Sequence, residues 1–211
     1  PDDCRPENYT VLTAAIRRRG WAMDECIVCG GVHLRWEFGD MPAARSKPLQ
    51  ALCAGRALLE HAHSVDAIGV ALAGDFNSGP QHGACIVLKH GLSEIDPEHP
   101  GGGCTSLGLS PIWEGQYVAE FALLRSAYAD VHGADPKFTR KKNSTASQFC
   151  LDYIFLGGGA LRATKADFGP GRQPYAQAGD GSDLPYLPCA AWPSDHLPLV
   201  VELEVDAWSL L

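Results

Sequence analysis

Three short segments of the sequence place a histidine or an aspartate in a largely apolar run. These segments are CIVCGGVHL at residues 26–34, AIGVALAGDF at 67–76 and QFCLDYIFL at 148–156. Apolar runs of this length are typical of buried strands. The polar residue is His33 in the first run, Asp75 in the second and Asp152 in the third. We therefore predict several short strands that carry polar side chains to one site.

Periodicity predicts a fourth strand and two helices. Residues 196–205, HLPLVVELEV, alternate apolar and acidic side chains, as a half-buried strand does. Residues 46–66 predict a helix with Pro48 in its opening turn, and residues 80–91 predict a helix that Gly91 closes. Strands and helices alternate early in the chain and strands dominate later. This order predicts an α/β or α+β protein with layered sheets.

The middle and the end of the chain are less regular. A third helix is predicted from four residues that recur at helical spacing, Tyr117, Phe121, Leu124 and Tyr128. Gly133 lies just beyond them and is a typical stop signal. Residues 92–116 and 167–193 are rich in turn-forming residues, so we predict long loops there.

The composition bounds the class of protein. With 211 residues and 45% hydrophobic content, the chain suits one sizeable domain. Its formal charge of −8 argues against non-specific coating of nucleic acid, which needs a basic face. No apolar run is long enough to predict a transmembrane helix. The eight scattered cysteines predict reduced thiols and an intracellular location. A metal or redox role for Cys26 and Cys29 is the weaker alternative, because glycines continue the strand after them.

Polar residues near the predicted strand ends form a candidate catalytic set: His33, Asp75, Asn77, Asp152, Asp195 and His196. Taken singly, each has an ordinary structural explanation, since an aspartate before a turn often caps that turn. Asp152 is harder to explain, because a buried carboxylate is costly without a partner, and His196 is a candidate partner. Together, two histidines, three carboxylates and an amide suit phosphodiester hydrolysis, which needs a positioned water and stabilised phosphate charge.

These residues lie in motifs that resemble those of a known superfamily. Endonuclease/exonuclease/phosphatase proteins carry motifs similar, in the same order, to GDFNSGP, CLDYIFL and PSDHLPLVVELE of this chain. The resemblance is greatest to the deadenylase-like branch, which includes the carbon-catabolite-repressor deadenylases, angel, nocturnin and the 2′,5′-phosphodiesterases. It implies the second half of a two-sheet β-sandwich flanked by helices. The implied division is an irregular N-terminal segment, residues 1–25, and a C-terminal half-domain, residues 26–211.

The resemblance also implies roles for the candidate residues. Asp75 would position or activate the attacking water, and Asn77 beside it would bind a phosphate oxygen. His196 would contact the scissile phosphate while Asp152 orients its ring. His33 would be a further phosphate contact. The set would thus surround one phosphate group from several strands.

The implied metal and substrate contacts come from the same part of the sequence. Asp195 would help to hold Mg²⁺ or Mn²⁺, which prefer oxygen ligands. Arg140 and Lys141, in the basic stretch RKK, would bind substrate; the alternative is that this stretch is an ordinary solvated loop. The branch clamps an adenine with an asparagine and an aromatic residue, whereas this chain has Arg140 and Ser147 at the nearest positions. Adenine specificity is therefore not implied.

One part of the family pattern is absent from the sequence. Family members carry a metal-binding glutamate far upstream of the His-Leu strand, and Glu25 and Glu37 stand in the wrong places to supply it. Metal binding would be weakened accordingly. We also expect the N-terminal half of such a domain, or a second chain, to cover the apolar sheet. Two hypotheses follow: a Mg²⁺-dependent phosphodiesterase acting on RNA or oligoadenylate, or an inactive descendant serving as a structural subunit.

Overall fold

The computed structural model describes residues 11–17, 26–35, 41–90, 124–141, 148–168, 187–188 and 193–205. Within these ranges the strands are β1 (Leu12–Ile16), β2 (Ile27–His33), β3 (Gly69–Asp75), β4 (Arg125–Ser126), β5 (Arg140–Lys141), β6 (Gln148–Phe149), β7 (Asp152–Gly157), β8 (Leu161–Asp167) and β9 (Val200–Val205). The helices are α1 (Met41–Ser64), α2 (Gly83–His90) and α3 (Ala127–His132). Sheets with few helices confirm the predicted mixed class.

The largest sheet has five strands in the order β1-β2-β3-β7-β4. Strands β2 and β3 run parallel, whereas the other neighbouring pairs are antiparallel. The register pairs His33 of β2 with Asp75 of β3, and Asp75 with Asp152 of β7. Three residues predicted to act together therefore form one row across the three neighbouring strands, at one end of the sheet.

One face of this sheet packs against helices α1 and α2. Its core contains Val28, Leu72 and Phe155 from the strands, with Leu58 and Val87 from the helices. Fully burying a side chain of this size stabilises the fold by about 1.5–3 kcal/mol. The site row is not on this face, because side chains alternate across a strand and Val28, Leu72 and Phe155 each lie an odd number of residues from it.

The opposite face carries the site row and packs against α3 and a two-stranded sheet formed by β8 and β9. Ala71 and Leu156 of the large sheet contact Ala163 and Val201 of the small sheet in a second apolar cluster. Strands β8 and β9 pair antiparallel, with a register shift between Ala163 and Lys165. The small sheet thus forms a second layer over one side of the large sheet.

Tyr153 ties the turn after β3 to the start of β7. Its hydroxyl lies 3.0 Å from the carbonyl oxygen of Ser78 and 2.9 Å from that of Cys150. The ring is almost fully buried and contacts the rings of Phe76 and Phe155 at 5.7 and 5.3 Å between centroids. The aromatic cluster therefore supports the backbone just behind the site.

Several predicted elements are confirmed, with altered ends. Strands β2 and β3 and helix α2 lie within the predicted ranges 26–34, 67–76 and 80–91. Helix α1 begins at Met41, earlier than predicted, so Pro48 lies inside the helix instead of in its opening turn, and the residue is buried. A proline at this position leaves one helical hydrogen bond unmade. Gly91 and the predicted loop at 92–116 lie outside the described residues, as does most of the loop at 167–193.

The third predicted helix is wrong at its start. Arg125 and Ser126 pair with β7 instead, and the Ser126 hydroxyl accepts a hydrogen bond from the backbone N–H of Ala129, which caps α3. Leu124 therefore lies outside the helix, although Gly133 ends it as predicted, in the left-handed conformation. Tyr117 and Phe121 lie outside the described residues.

The strands also differ from prediction in three places. The predicted strand at 148–156 is divided into β6 and β7, and the one at 196–205 begins only at Val200. Strand β8 was not predicted. Strand β1 lies in the segment predicted to be irregular. It was missed because most of its side chains are exposed and show no apolar alternation.

None of the helices in the described ranges combines the length and apolar character needed to cross a bilayer.

Gly74 permits a close approach of β3 to β2 directly before Asp75. Its φ angle is 143°, in a region that side chains rarely adopt, and a Cβ there would lie 1.9 Å from the carbonyl oxygen of Val32. Strands β2 and β3 approach each other too closely at this point for any side chain. The glycine of the GDFN motif is therefore required by the backbone.

We expect Gly74→Ala to destabilise the fold by about 3 kcal/mol or more, because the new Cβ adds both strain and a clash. Urea unfolding followed by circular dichroism measures the loss. Gly31→Ala is the matched control on β2, since a Cβ at Gly31 has nothing within 4 Å. It should change stability by no more than about 0.5 kcal/mol. Equal effects of the two substitutions would contradict this account of Gly74.

Candidate active site

Three of the predicted catalytic residues converge in space. One ligand atom each from Asp75, Asp152 and His196 lies within 4.8 Å of the others, and all three residues are partly buried. Asp75 ends β3 and Asp152 begins β7, so the sheet register places them side by side. His196 reaches them from an irregular segment that forms an isolated bridge with Arg140 of β5. The fold therefore brings together three segments that are far apart in the sequence.

The imidazole of His196 is held by Asp152. Its Nδ1 donates a hydrogen bond to Asp152 Oδ2 at 2.9 Å, which leaves Nε2 facing Asp75 Oδ2 at 4.0 Å. The hydrogen bond that Asp152 accepts raises the pKa of His196 above its ordinary value. Burial opposes this rise, while the charges of Asp152, Asp75 and Asp195 add to it. The arrangement favours a protonated imidazole beside the two carboxylates.

The surroundings of Asp75 disfavour its charged form. Burial raises the pKa of Asp75 above its ordinary value, and the nearby Asp152 adds to the rise. The backbone N–H of Asn77 donates to Asp75 Oδ1 at 2.8 Å and opposes the shift, as do His196 and His33. A carboxylate with a raised pKa accepts a proton more readily, as a general base must.

Asn77 occupies the turn directly after the Asp75 strand. Its φ angle is 46°, in the left-handed region that asparagine tolerates better than most residues. The side-chain Nδ2 donates to the carbonyl oxygen of Leu34 at 2.6 Å, and only 6% of the residue is exposed. The turn therefore fixes the amide next to Asp75, between the ends of β2 and β3.

His33 lies at the rim of the group. Its Nε2 is 3.6 Å from Asp75 Oδ2, and 77% of its side chain is exposed. The predicted neighbourhood of His33 and Asp75 is thus present in the structure. The role of His33 as a phosphate contact remains a prediction.

Asp195 pairs with Arg140 beside the group. The Nε atom of Arg140 donates to Asp195 Oδ2 at 3.0 Å. Partial burial alone would raise the pKa of Asp195, but the Arg140 hydrogen bond and the His196 and Arg140 charges outweigh it and lower the pKa. The described residues that could hold a metal are Asp75, Asp152 and His196, and Asp195 is not among them. Its predicted role as a metal ligand remains a prediction.

Lys141 is a buried residue of β5. Only 2% of the residue is exposed, so the side chain lies in the protein interior. Its backbone N–H donates to the carbonyl oxygen of Asp195, and its own carbonyl oxygen accepts from Leu187. The alternative of a solvated loop is therefore wrong for this residue. Burial also weighs against a direct substrate contact by Lys141.

Two supporting residues could not be found from the sequence. The Nζ atom of Lys47, in α1, donates to the carbonyl oxygen of Asn77 at 2.8 Å. The hydroxyl of Thr139 donates to Asp152 Oδ2 at 2.6 Å. Lys47 contacts the backbone of Asn77, and Thr139 contacts the side chain of Asp152. Neither residue belongs to a sequence motif that would identify a site. Thr139 precedes the RKK stretch, which drew attention only for its charge.

The raised pKa of His196 makes a prediction for stability against pH in metal-free buffer. A histidine with a raised folded-state pKa stabilises the fold fully below its unfolded value, near 6.5, and this contribution is lost as pH rises through the folded value. We expect urea unfolding to show a fall in stability above about pH 6.5 in the parent protein. Asp152→Asn should flatten this fall, because it removes the main cause of the shift. Parallel pH profiles for the two proteins would contradict the Asp152–His196 coupling.

Comparison with solved structures identifies the fold. ANGEL2, described as a 2′,3′-cyclic phosphatase in complex with adenosine-2′,3′-vanadate, matches 95% of this chain and 64% of its own at 19% identity, with a TM-score of 0.62. The human Nocturnin catalytic domain with bound sulfate matches 94% of this chain and 54% of its own at 17% identity, with a TM-score of 0.56. An endonuclease/exonuclease/phosphatase family protein from Bacteroides thetaiotaomicron matches 94% and 57% at 13% identity, with a TM-score of 0.55.

Sequence comparison adds no closer relative. No protein-family model and no curated protein matches the chain. The chain spans between 54% and 64% of the three solved proteins named above. Identities below one fifth show the fold rather than the activity. The chain therefore has the fold of endonuclease/exonuclease/phosphatase proteins, as the motifs of its deadenylase-like branch predicted.

Proposed function

We propose that this chain carries the active-site part of a metal-dependent phosphodiesterase that hydrolyses RNA or oligoadenylate. The observation that supports this most is the convergence of Asp75, Asp152 and His196 to within 4.8 Å at the end of the sheet. Two carboxylates and an imidazole in one partly buried group are costly unless they are paired or used. Phosphoester hydrolysis uses both kinds of group.

Each residue has a chemical task in this proposal. Asp75, with its raised pKa, accepts a proton from the attacking water. His196, protonated and oriented by Asp152, donates hydrogen bonds to the negative charge that builds on the phosphate oxygens. Asn77 uses one amide hydrogen on Leu34, and an asparagine amide has a second hydrogen for a phosphate oxygen. His33 closes the exposed side.

The group also suits a hard divalent cation. Mg²⁺ is usually bound by one or two carboxylates together with waters and substrate oxygens, and Asp75 and Asp152 supply two carboxylates. Asp195 is the further ligand that the resemblance implies. When bound, such an ion supplies Lewis-acid stabilisation of the phosphate charge.

Arg140 is the proposed substrate contact on the described surface. It bridges to His196 in the backbone and its guanidinium is oriented by Asp195. A planar guanidinium that a carboxylate already orients is the side-chain group whose geometry best matches phosphate oxygens. Two structural neighbours support a phosphate ligand, since the ANGEL2 structure contains adenosine-2′,3′-vanadate and the Nocturnin structure contains a sulfate anion.

We expect the protein to release mononucleotides from a short oligoadenylate in the presence of Mg²⁺ or Mn²⁺. Asp75→Asn should lower the rate by about 10²- to 10⁴-fold, because the amide cannot accept the proton of water. Quantification of the released nucleotide by chromatography measures both rates. Chelation with EDTA should abolish the release, and Mg²⁺ should restore it.

The matched control is Asp66→Asn. Asp66 is exposed, lies outside the site and has a φ angle of 49°, which asparagine also tolerates. Its rate should equal that of the parent protein. The proposal fails if the parent protein releases no more nucleotide than Asp75→Asn. That result would leave the structural role below as the remaining candidate.

A second candidate function, as a structural subunit, is favoured by an apolar surface beside the site. Leu12 and Ile16 of β1 are 73% and 54% exposed. Leu12 pairs with Gly31 and Ile16 with Ile27, so both lie on the sheet face that carries the site row. We propose that further polypeptide covers this face, either an N-terminal half-domain or a second chain.

The exposed face should bind a hydrophobic dye such as ANS. We expect the double variant Leu12→Ser, Ile16→Ser to bind markedly less dye, because it removes the two most exposed apolar side chains of the described residues. Val200→Ser is the control, since Val200 is 43% exposed but lies on β9 of the small sheet. Equal dye fluorescence from the double variant and the parent protein would exclude this face as the apolar surface.

A further inference from the structure

Thr139 lies at the centre of the hydrogen bonds that hold the Asp152–His196 pair. The residue is completely buried, directly before β5. Its hydroxyl oxygen accepts from the backbone N–H of Leu151 at 2.9 Å and from that of Asp152 at 3.0 Å. A backbone N–H can only donate. The single hydroxyl hydrogen is therefore directed to Asp152 Oδ2, which lies 2.6 Å away.

The same carboxylate oxygen serves the imidazole. Asp152 Oδ2 accepts both from the Thr139 hydroxyl and from His196 Nδ1. The Thr139 hydroxyl and the imidazole are thus linked through a single carboxylate oxygen. In this arrangement Nε2 of His196 faces Asp75 Oδ2 at 4.0 Å.

The main chain of Thr139 joins the same segments. Its N–H donates to the carbonyl oxygen of Phe149, the last residue of β6, at 2.8 Å. Its carbonyl oxygen accepts from the N–H of Leu197, the residue after His196, at 2.7 Å. Thr139 therefore contacts β6 and the irregular segment of His196 through its main chain, and Asp152 through its side chain.

We propose that Thr139 is a positioning residue that sets the orientation of Asp152 and, through it, of the His196 imidazole. This role rests on the proposed function, since it matters to catalysis only if His196 acts on a phosphate. A merely structural role would be different. The hydroxyl would then only satisfy two buried N–H groups, and the imidazole would keep its place without it.

The first test observes the His196 imidazole by NMR and does not require hydrolytic activity. In the parent protein, we expect the Nδ1 proton of His196 to give a downfield NMR resonance, because it is hydrogen-bonded to a carboxylate. Asp152→Ala assigns this resonance by removing it. Thr139→Val should weaken or remove it, whereas Thr139→Ser, which keeps the hydroxyl, should retain it. An unchanged resonance in folded Thr139→Val would overturn the proposal.

The second test reads catalysis. Thr139→Val should lower kcat by about 10- to 100-fold with little change in KM, as is typical when an outer hydrogen-bond partner is lost. Thr139→Ser should restore most of the rate. In the Asp152→Ala background, Thr139→Val should cause no further loss, because its effect passes through Asp152. Additive losses would overturn the proposal.

Two controls separate folding from positioning. Thr164→Val makes the same change on β8, where the hydroxyl is exposed and donates to the carbonyl oxygen of Glu202. It should leave both the resonance and the rate unchanged. If Thr139→Val does not fold, Thr139→Ala takes its place, since the smaller side chain leaves room for water to bond the two backbone N–H groups. The same outcomes then decide.

The tests also distinguish failure of this proposal from failure of the proposed function. A parent protein without hydrolytic activity but with a resonance that depends on the Thr139 hydroxyl would refute the phosphodiesterase and retain the positioning role. An active parent protein whose resonance and rate both survive Thr139→Val would refute the positioning role alone.

Discussion

The register of three neighbouring strands is the constraint on which the site depends. Parallel pairing of β2 with β3 and antiparallel pairing of β3 with β7 bring His33, Asp75 and Asp152 into one row. A shift of one residue in either pair would send a side chain to the opposite face of the sheet. The apolar side chains that pack against α1 and α2 oppose such a shift, because it would expose them. Packing on one face thus secures polar geometry on the other.

The site combines rigid and irregular parts of the fold. Asp75 and Asp152 sit on strands, whereas His196 lies on a segment held by a single bridge to Arg140 and by hydrogen bonds of its neighbours. Two carboxylates placed side by side repel each other, which contributes to the raised pKa of Asp75. The imidazole between them offsets part of this cost. The group is therefore most stable when His196 is charged or a cation is near.

The sequence predicted the strands that bear the site better than the contacts that hold it. The apolar runs around His33, Asp75 and Asp152 revealed β2, β3 and β7, because burial leaves a clear local pattern. Strand β1 was missed because its side chains are mostly exposed. The burial of Lys141 and the role of Thr139 depend on residues distant in sequence, such as Asp195 and Leu151, and no local pattern encodes such pairs. The order of the periodic segments predicted the mixed α/β or α+β class, whereas the motif resemblance predicted the particular fold.

Adjacent residues at the start of β7 divide their work between the two faces of the sheet. Asp152 faces the site, while the hydroxyl of Tyr153 reaches the carbonyl oxygen of Ser78 in the turn that carries Asn77. This hydrogen bond ties the turn to the strand, although the two are far apart in the chain. The Asp-Tyr dipeptide therefore places one side chain in the candidate site and, through the next, limits how far the turn that carries Asn77 can move independently of the strand.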